Sequence, residues 1–171
     1  YLDSLEMTAV IKGFEPLYIQ RIAQLTNKSN QFNLTTLRCS EDDIRAMAGD
    51  KNDLCLCGKL VDKFGDNGIV TVVAGRQQGD VLDLTLWLMS CRVLKRGMED
   101  AMMDTVVAEA AARGVKTIVG HYYPTAKNAM VREFYAQYGF AKTAEDADGN
   151  TEWTLDVAAY TPKHPHMKIE R

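Results

Sequence analysis

Residues 81–113, VLDLTLWLMSCRVLKRGMEDAMMDTVVAEAAAR, constrain the fold more than any other stretch of the chain. Val81, Leu82, Leu84, Leu86, Leu88 and Met89 form an almost wholly apolar run, as in a strand covered on both faces. The segment Cys91-Arg92-Val93-Leu94-Lys95-Arg96-Gly97-Met98 then turns the chain. From Met98 to Ala112, Ala, Met and Val recur at helical spacing, and Gly114 supplies the stop. A helix entered through so sharp a turn points its first free N–H groups at one spot, where the helix dipole adds positive charge. Arg92, Lys95 and Arg96 add formal charges, so the sequence predicts a phosphate seat at this corner.

The remainder of the chain supplies a sheet for this unit. Leu5, Met7, Ala9 and Ile11 alternate with Glu6, Thr8 and Val10, predicting a strand within 2–11 that ends before Gly13. Glu15-Pro16 opens a helix whose apolar stripe is Leu17, Ile19, Ile22, Ala23 and Leu25. Ser40-Glu41-Asp42-Asp43 starts a second, short helix that ends near Gly49. Residues 54–63, 68–74 and 81–89 read as three successive strands joined by tight turns, an antiparallel meander. After the long helix come a strand over 117–122, a helix marked by Ala129, Val131, Phe134, Tyr135 and Tyr138 and closed by Gly139, and two last strands over 140–143 and 151–157. The segment from Thr161, which carries His164 and His166 between prolines, is expected to pack poorly. The order is β-α-α-β-β-β-α-β-α-β-β: an α/β (α+β) fold with one mixed, mostly antiparallel sheet and helices on both faces. The strand at Thr117 should lie parallel to the one before the long helix.

Bulk properties narrow the function. The chain of 171 residues suffices for one domain with a substantial core, and 46% hydrophobic with 25% charged residues excludes a disordered polymer. A net charge of −3 and a pI near 5.6 give no general support for nucleic-acid binding. No apolar run is long enough to span a bilayer and no signal peptide is visible, so neither a membrane nor secretion is indicated. Cys39, Cys55, Cys57 and Cys91 lack the spacing of a disulfide scaffold and read as reduced thiols, which makes the cytoplasm the expected compartment. Cys55 and Cys57 share a strand face without further ligands nearby, and His164 and His166 are a weak pair; no metal site is expected. The chain opens on Tyr1 and reads as a piece of a longer polypeptide.

Two stretches resemble the GCN5-related N-acetyltransferase (GNAT) superfamily. Its acyl-CoA loop has the form [QR]-x-x-G-x-[GA]; Arg92-Val93-Leu94-Lys95-Arg96-Gly97 matches at Arg92 and Gly97. Lys95 stands where the first glycine would be. A side chain there crowds the approach of a pyrophosphate and favours a carrier-bound arm, which presents a single phosphodiester, over free CoA. The second stretch has Asn128 followed by Tyr135-Ala136-Gln137-Tyr138-Gly139-Phe140. The resemblance implies an acyl-CoA N-acyltransferase fold over residues 1–160 with a C-terminal tail over 161–171. It implies a cofactor site at Arg92, Val93, Leu94, Lys95, Arg96, Gly97, Met98 and Asn128, and a tyrosine near the thioester sulfur at Tyr135. A narrower likeness covers Leu25–Thr36, Trp87–Leu94 and Pro124–Asn128, which resemble the C-terminal region of FkbH-like proteins. These carry a haloacid-dehalogenase (HAD) type domain, of subfamily IIIC, ahead of a GNAT-like domain, and load a glyceryl unit onto an acyl carrier protein for polyketide-type pathways. That resemblance implies as partners the carrier protein and an upstream HAD-type domain, whose Asp-x-Asp motif is not in this sequence. The cofactor would be acyl-CoA or the phosphopantetheine of the carrier. A non-catalytic carrier-binding module and an acetyl-CoA-dependent small-molecule N-acetyltransferase are the alternatives.

Side chains suited to the chemistry can be named. Tyr135 can protonate a departing thiolate or can fill the core. Cys91 can hold an acyl group as a thioester, or it can be a small buried cysteine. His121, at a strand end, is a candidate base expected to face the same cleft. The amides of Asn30, Gln31 and Asn33, with Thr35 and Thr36, can bind a polyol or can satisfy their own loop. Thr125, Lys127 and Asn128 cluster in a loop suited to substrate or phosphate.

Overall fold

The computed structural model describes residues 5–171. Its strands are β1 (Thr8–Lys12), β2 (Asp53–Asp62), β3 (Gly65–Gln78), β4 (Val81–Met89), β5 (Thr117–Tyr122), β6 (Ala141–Glu145), β7 (Thr151–Asp156) and β8 (Lys168–Glu170). They form a single sheet in the order β6-β7-β5-β4-β3-β2-β1-β8. Among the described residues only the β4–β5 and β1–β8 pairs are parallel. Three α-helices cover it: α1 (Ile19–Lys28), α2 (Glu41–Gly49) and α3 (Met98–Ala112). Helices α1 and α2 pack on one face over Ile69, Val72, Leu86 and Leu88, and α3 packs on the other over Leu60, Val73, Leu82 and Leu84. The expected α/β architecture, with helices on both faces and β5 parallel to β4, is the one observed.

Local chemistry explains the helix ends. In α2 the Ser40 hydroxyl accepts a hydrogen bond from the Asp43 N–H at 3.1 Å, and the Asp43 carboxylate accepts one from the Ser40 N–H at 2.9 Å. This reciprocal pair satisfies two donors that the helix itself leaves free. Pro16 starts a single 3₁₀ turn, Pro16–Tyr18, before α1 takes over. That turn puts Leu17 out of phase with the stripe, so Leu17 is 83% exposed while Ile19, Ile22, Ala23 and Leu25 are buried. In the N-terminal strand Leu5, Met7, Ala9 and Ile11 are all buried, as their alternation predicts. The part of that expected strand before Leu5 lies outside the described residues.

Strand β4 contains an irregularity that its sequence does not announce. Ala74 pairs with Leu86 and Gly75 with Leu84, leaving Thr85 as an extra residue. The bulge resets the alternation of side chains. Leu82 and Leu84 face α3, whereas Leu86 and Leu88 face α1, and Trp87 and Met89 take over the α3 side.

Two expected elements differ. Residues 129–138 are not an α-helix but two 3₁₀ turns, Ala129–Val131 and Tyr135–Tyr138. Val131, Phe134, Tyr135 and Tyr138 still bury one face, and Gly139 closes the segment at φ 86°. The bonds run three residues back, from Phe134 N–H to Val131 O and from Gln137 N–H to Phe134 O, so the winding is tighter over the same buried positions. The segment from Thr161 does pack. Lys168–Glu170 adds a parallel edge strand to β1, and the Asp104 carboxylate accepts from the N–H groups of Lys163 and His164. Met167 and Ile169 lie against the core.

Candidate functional site

The site is shaped by the way β4 and β5 part. They pair only at Val81–Thr117, Leu82–Ile118 and Asp83–Val119 and then diverge, opening a wedge in the middle of the sheet. Residues 32–36 fill it. The Met89 N–H donates to Phe32 O and the Leu34 N–H to Trp87 O, both at 3.0 Å. On the other side the Tyr123 N–H donates to Leu34 O at 2.9 Å. The Thr35 hydroxyl donates to the carbonyl of the bulged Thr85 at 2.8 Å. Asn33 and Leu34 are fully buried. The amide-rich string is therefore a strap that makes sheet-like bonds to both diverging strands. Asn33, expected to line a pocket, instead holds this strap: its amide donates to Ser29 O and accepts from the Thr36 N–H, while Thr35 both holds the strap and lines a groove.

Asn128 locks the strap from below. Its Nδ2 donates to Asn33 O and Tyr123 O, both at 3.0 Å, and its Oδ1 accepts from the Thr125 N–H at 2.8 Å and the Tyr122 hydroxyl at 3.3 Å. It is fully buried, with every hydrogen-bonding direction engaged by protein. The expected cofactor contact of Asn128 is thus replaced by a structural role. The Thr125 hydroxyl accepts from the N–H groups of Lys127 and Asn128 and shapes the same loop.

A groove of about 590 Å³ opens at the end of β4, between α1 and the turn after Met89. Its lining brings together Asn30, Gln31, Cys91, Arg92 and Lys127, all singled out from the sequence, with Arg21, Lys28 and Ser90, which were not. Cys91 is exposed, and its thiol donates to the Gln31 side-chain carbonyl at 3.2 Å. Arg92 donates to the Ser90 hydroxyl and to Asn67 O, both at 3.3 Å. Among the described residues no carboxylate lines the groove. Burial and the nearby Arg92 charge together hold the Arg21 guanidinium below its ordinary value. An anion entering here would meet uncompensated positive charge beside a free thiol. Arg21 and Lys28 were missed because cations beside a helical apolar stripe read as an ordinary solvated flank.

The corner before α3 differs from the phosphate seat that was expected. Arg96 is paired with Asp62 at 2.8 Å. Lys95 adopts φ 64° and Gly97 φ 91°, and the Gly97 Cα lies under the tail: a Cβ there would stand 3.3 Å from Pro165 and 3.5 Å from Met167. Glu99 and Asp100 occupy the first turn of α3 and complement its dipole themselves. Val93 and Met98 are buried in the core, with Leu94 packed against it. The cations therefore do not converge on the helix N-terminus. Arg92 faces the groove on the α1 side instead.

Tyr135 is also placed differently from a residue facing a cleft. It is 1% exposed and packs among Trp87, Phe134 and Phe140. Its ring lies over Gly120, where a Cβ would come within 2.5 Å of the ring carbon Cζ. Burial raises its hydroxyl far above the usual tyrosine value.

His121 lies in a separate groove, of about 390 Å³, lined by Thr35, Leu37, Asp83, Thr85, His121 and Tyr123. Its Nε2 is 2.5 Å from Asp83 Oδ1. Nδ1 has no partner among the described residues, so a neutral imidazole that donates from Nε2 to Asp83 offers a basic nitrogen at Nδ1. His121 lies just beyond the last paired position, Asp83–Val119, whereas Cys91 follows the far end of β4, and the two line different grooves. His121 and Cys91 do not share one cleft. Among the described residues no group of three or more His, Cys, Asp and Glu side chains is placed to hold a metal ion, and no helix is long and apolar enough to cross a membrane.

No family model matches the sequence, and no curated protein matches it. Solved structures do. The ribosomal-protein-S18-alanine N-acetyltransferase from Escherichia coli superposes with a TM-score of 0.66 at 15% identity, over 87% of this chain and 94% of that one. The fold is that of the GNAT acetyltransferases. The GNAT domain of S. lividans PAT matches with a TM-score of 0.65 at 16% identity, over 85% of this chain and 89% of its own. Spermidine N-acetyltransferase from Vibrio cholerae, solved in complex with CoA and spermine, matches at 0.65 and 9% identity, over 88% and 96%. On this GNAT scaffold the groove with Cys91 lies at the end of β4.

Proposed function

We propose that this GNAT-fold domain is an acyltransferase that takes an acyl group from a phosphate-bearing thioester onto Cys91. The observation that carries the reading is the exposed Cys91 thiol in a groove whose only charged side chains, among the described residues, are cations. The cations would hold the phosphodiester of a phosphopantetheine arm, or the phosphates of CoA. The Cys91 sulfur, as thiolate, attacks the thioester carbonyl, the bond to the arm sulfur breaks, and the proton given up by Cys91 ends on that departing sulfur. A second exchange with a carrier thiol passes the acyl group on. Because the strap fills the wedge and Tyr135 is enclosed, the groove, and not the sheet interior, offers the open path to a thiol.

The narrower reading is that of an FkbH-like C-terminal domain, working in the cytoplasm with an upstream HAD-type domain and loading a glyceryl-type acyl group onto an acyl carrier protein. It is supported by the string Asn30–Thr36 and by Trp87–Leu94, which build the strap and one wall of the groove. The amides of Asn30 and Gln31 and the hydroxyls of Ser29 and Ser90 suit a polyol.

Intact-protein mass spectrometry after incubation with a glyceryl thioester of a holo-carrier protein tests it. Wild type should gain the mass of the acyl group, and Cys91→Ser should gain none. Equal adduct on Cys91→Ser would remove Cys91 from the reaction. Carrier binding without any adduct on wild type would favour the non-catalytic module. A second reading, an acetyl-CoA-dependent N-acetyltransferase, is favoured by the His121–Asp83 pair beside the wedge, a base suited to an amine. Calorimetric titration with acetyl-CoA, followed by an amine-acetylation assay on His121→Gln, tests that reading.

A further inference from the structure

The cations of this region outnumber what a single arm can neutralise. Arg21, Lys28, Arg92 and Lys127 line the Cys91 groove. A second depression of about 310 Å³ adjoins it through Asn30 and Lys127 and adds Arg38. None of these five side chains forms a salt bridge among the described residues; the Lys and Arg side chains that do are Arg45, Lys59, Arg76, Arg96 and Lys142. Among the described residues neither depression has an acidic side chain in its lining. The contrast is local, because the whole chain carries a net charge of −3. The charges are also spread out: Arg21 and Lys28 lie two turns apart on α1, roughly 10 Å along its axis. Arg38 is held in place by its bonds to Thr26 O, Ser29 O and the Asn30 side chain. A phosphodiester arm brings one negative charge to one point of this strip.

We infer that the strip running from Arg21 and Lys28 across Lys127 to Arg38 is a docking surface for an acidic protein face, that of the carrier whose arm enters the groove. This rests on the proposed function and adds to it a second contact. The arm's phosphate meets Arg92 beside Cys91, while carboxylates on the carrier body meet the outlying cations. A diphosphate nucleotide fits less well, because the corner at the α3 N-terminus is closed by Pro165, Met167 and the first-turn carboxylates. Charges arranged in this way act mainly on encounter rate and partner choice.

The test is fluorescence anisotropy of a labelled acidic holo-acyl carrier protein titrated with the full chain at about 50 mM and about 500 mM NaCl, a range over which the screening length falls severalfold. Wild type should bind tightly at low salt and weakly at high salt. Lys28→Glu with Lys127→Glu should raise Kd at least about tenfold at low salt and flatten the salt dependence, and Lys28→Gln with Lys127→Gln should fall between. Both lysine side chains are exposed, so these variants do not touch the core. Unchanged affinity in the Glu pair, or no effect of salt, overturns the inference. So does displacement of the carrier by equimolar free CoA or by a short single-stranded oligonucleotide. Acylation by an acyl-N-acetylcysteamine, which carries no phosphate, reads Cys91 chemistry alone, so loss of docking and loss of the acyl relay are distinguishable.

Discussion

Replacing Asn128 by alanine should unlock the strap. The substitution removes two donors and one acceptor that serve four partners: Asn33 O, Tyr123 O, the Thr125 N–H and the Tyr122 hydroxyl. Water can reach the part-buried groups on the exposed loop, but Asn33 and Tyr122 are 0% and 1% exposed. Each enclosed group left without a partner costs about 1–3 kcal/mol, so a loss of about 2–5 kcal/mol is expected. In a domain of this length that corresponds to a fall in Tm of roughly 5–20 °C. Urea unfolding measures the energy, and native-state hydrogen exchange locates it. The Leu34, Met89 and Tyr123 amides, which bond along the strap, should lose protection before those of the β2–β3 ladder. Asn128→Asp should be worse at neutral pH, since it sets a carboxylate against two carbonyls. Its folded-state pKa would be raised, the native state would hold the proton longer, and stability would improve as pH falls toward the unfolded value near 4. A loss below about 1 kcal/mol in the alanine variant, with unchanged exchange at those three amides, would refute the assignment of Asn128 as the lock.

Gly120→Ala should destabilise by about 1–3 kcal/mol or more, because the new methyl would meet the Tyr135 ring at 2.5 Å and that ring is enclosed on all sides; thermal unfolding checks it. Glu99 has a buried oxygen without a partner, and burial raises its pKa above 4.5. The folded state therefore binds its proton more tightly, and this residue's contribution falls as pH rises from the unfolded value through the folded one. Glu99→Gln should flatten that limb and gain stability at neutral pH, measured by urea midpoints between about pH 4 and pH 8. Burial pushes the thiols of Cys55 and Cys57 up to about 12, and Cys39 is raised as well. At mildly alkaline pH iodoacetamide should label Cys91 well before the other three, as peptide mapping will show.

Much of the fold was legible because its signals are local. The alternation of Leu5, Met7, Ala9 and Ile11, the cap at Ser40 and the apolar run of β4 each follow from a few adjacent residues. The strap was not legible: Asn33, Leu34 and Thr35 carry no strand periodicity, and their bonds go to β4 and Tyr123, far away in sequence. The winding of 129–138 was misread because 3₁₀ and α segments bury nearly the same spacing over so short a length. The last strand was missed because Lys168-Ile169-Glu170 has a single apolar residue and borrows its order from β1. In the site, Cys91, Arg92, Asn30, Gln31 and Lys127 do meet. The pairing of Arg96 with Asp62 and the tail over Gly97 are long-range facts that changed where the positive charge points. Asp83 beside His121 likewise depends on the pairing of β4 with β5.

The extra residue in β4 bears on how this protein can change. A strand with strict alternation commits each side chain to one side for its whole length. Thr85 breaks that commitment midway, so the two hydrophobic layers read the same strand in opposite phase before and after it. Exchanging one apolar side chain for another within Leu82–Met89 disturbs one layer locally. Losing or gaining a single residue there turns Trp87 and Met89 toward α1 and Leu86 and Leu88 toward α3, exchanging large for branched groups in both layers at once. Length, more than composition, is what this strand cannot vary.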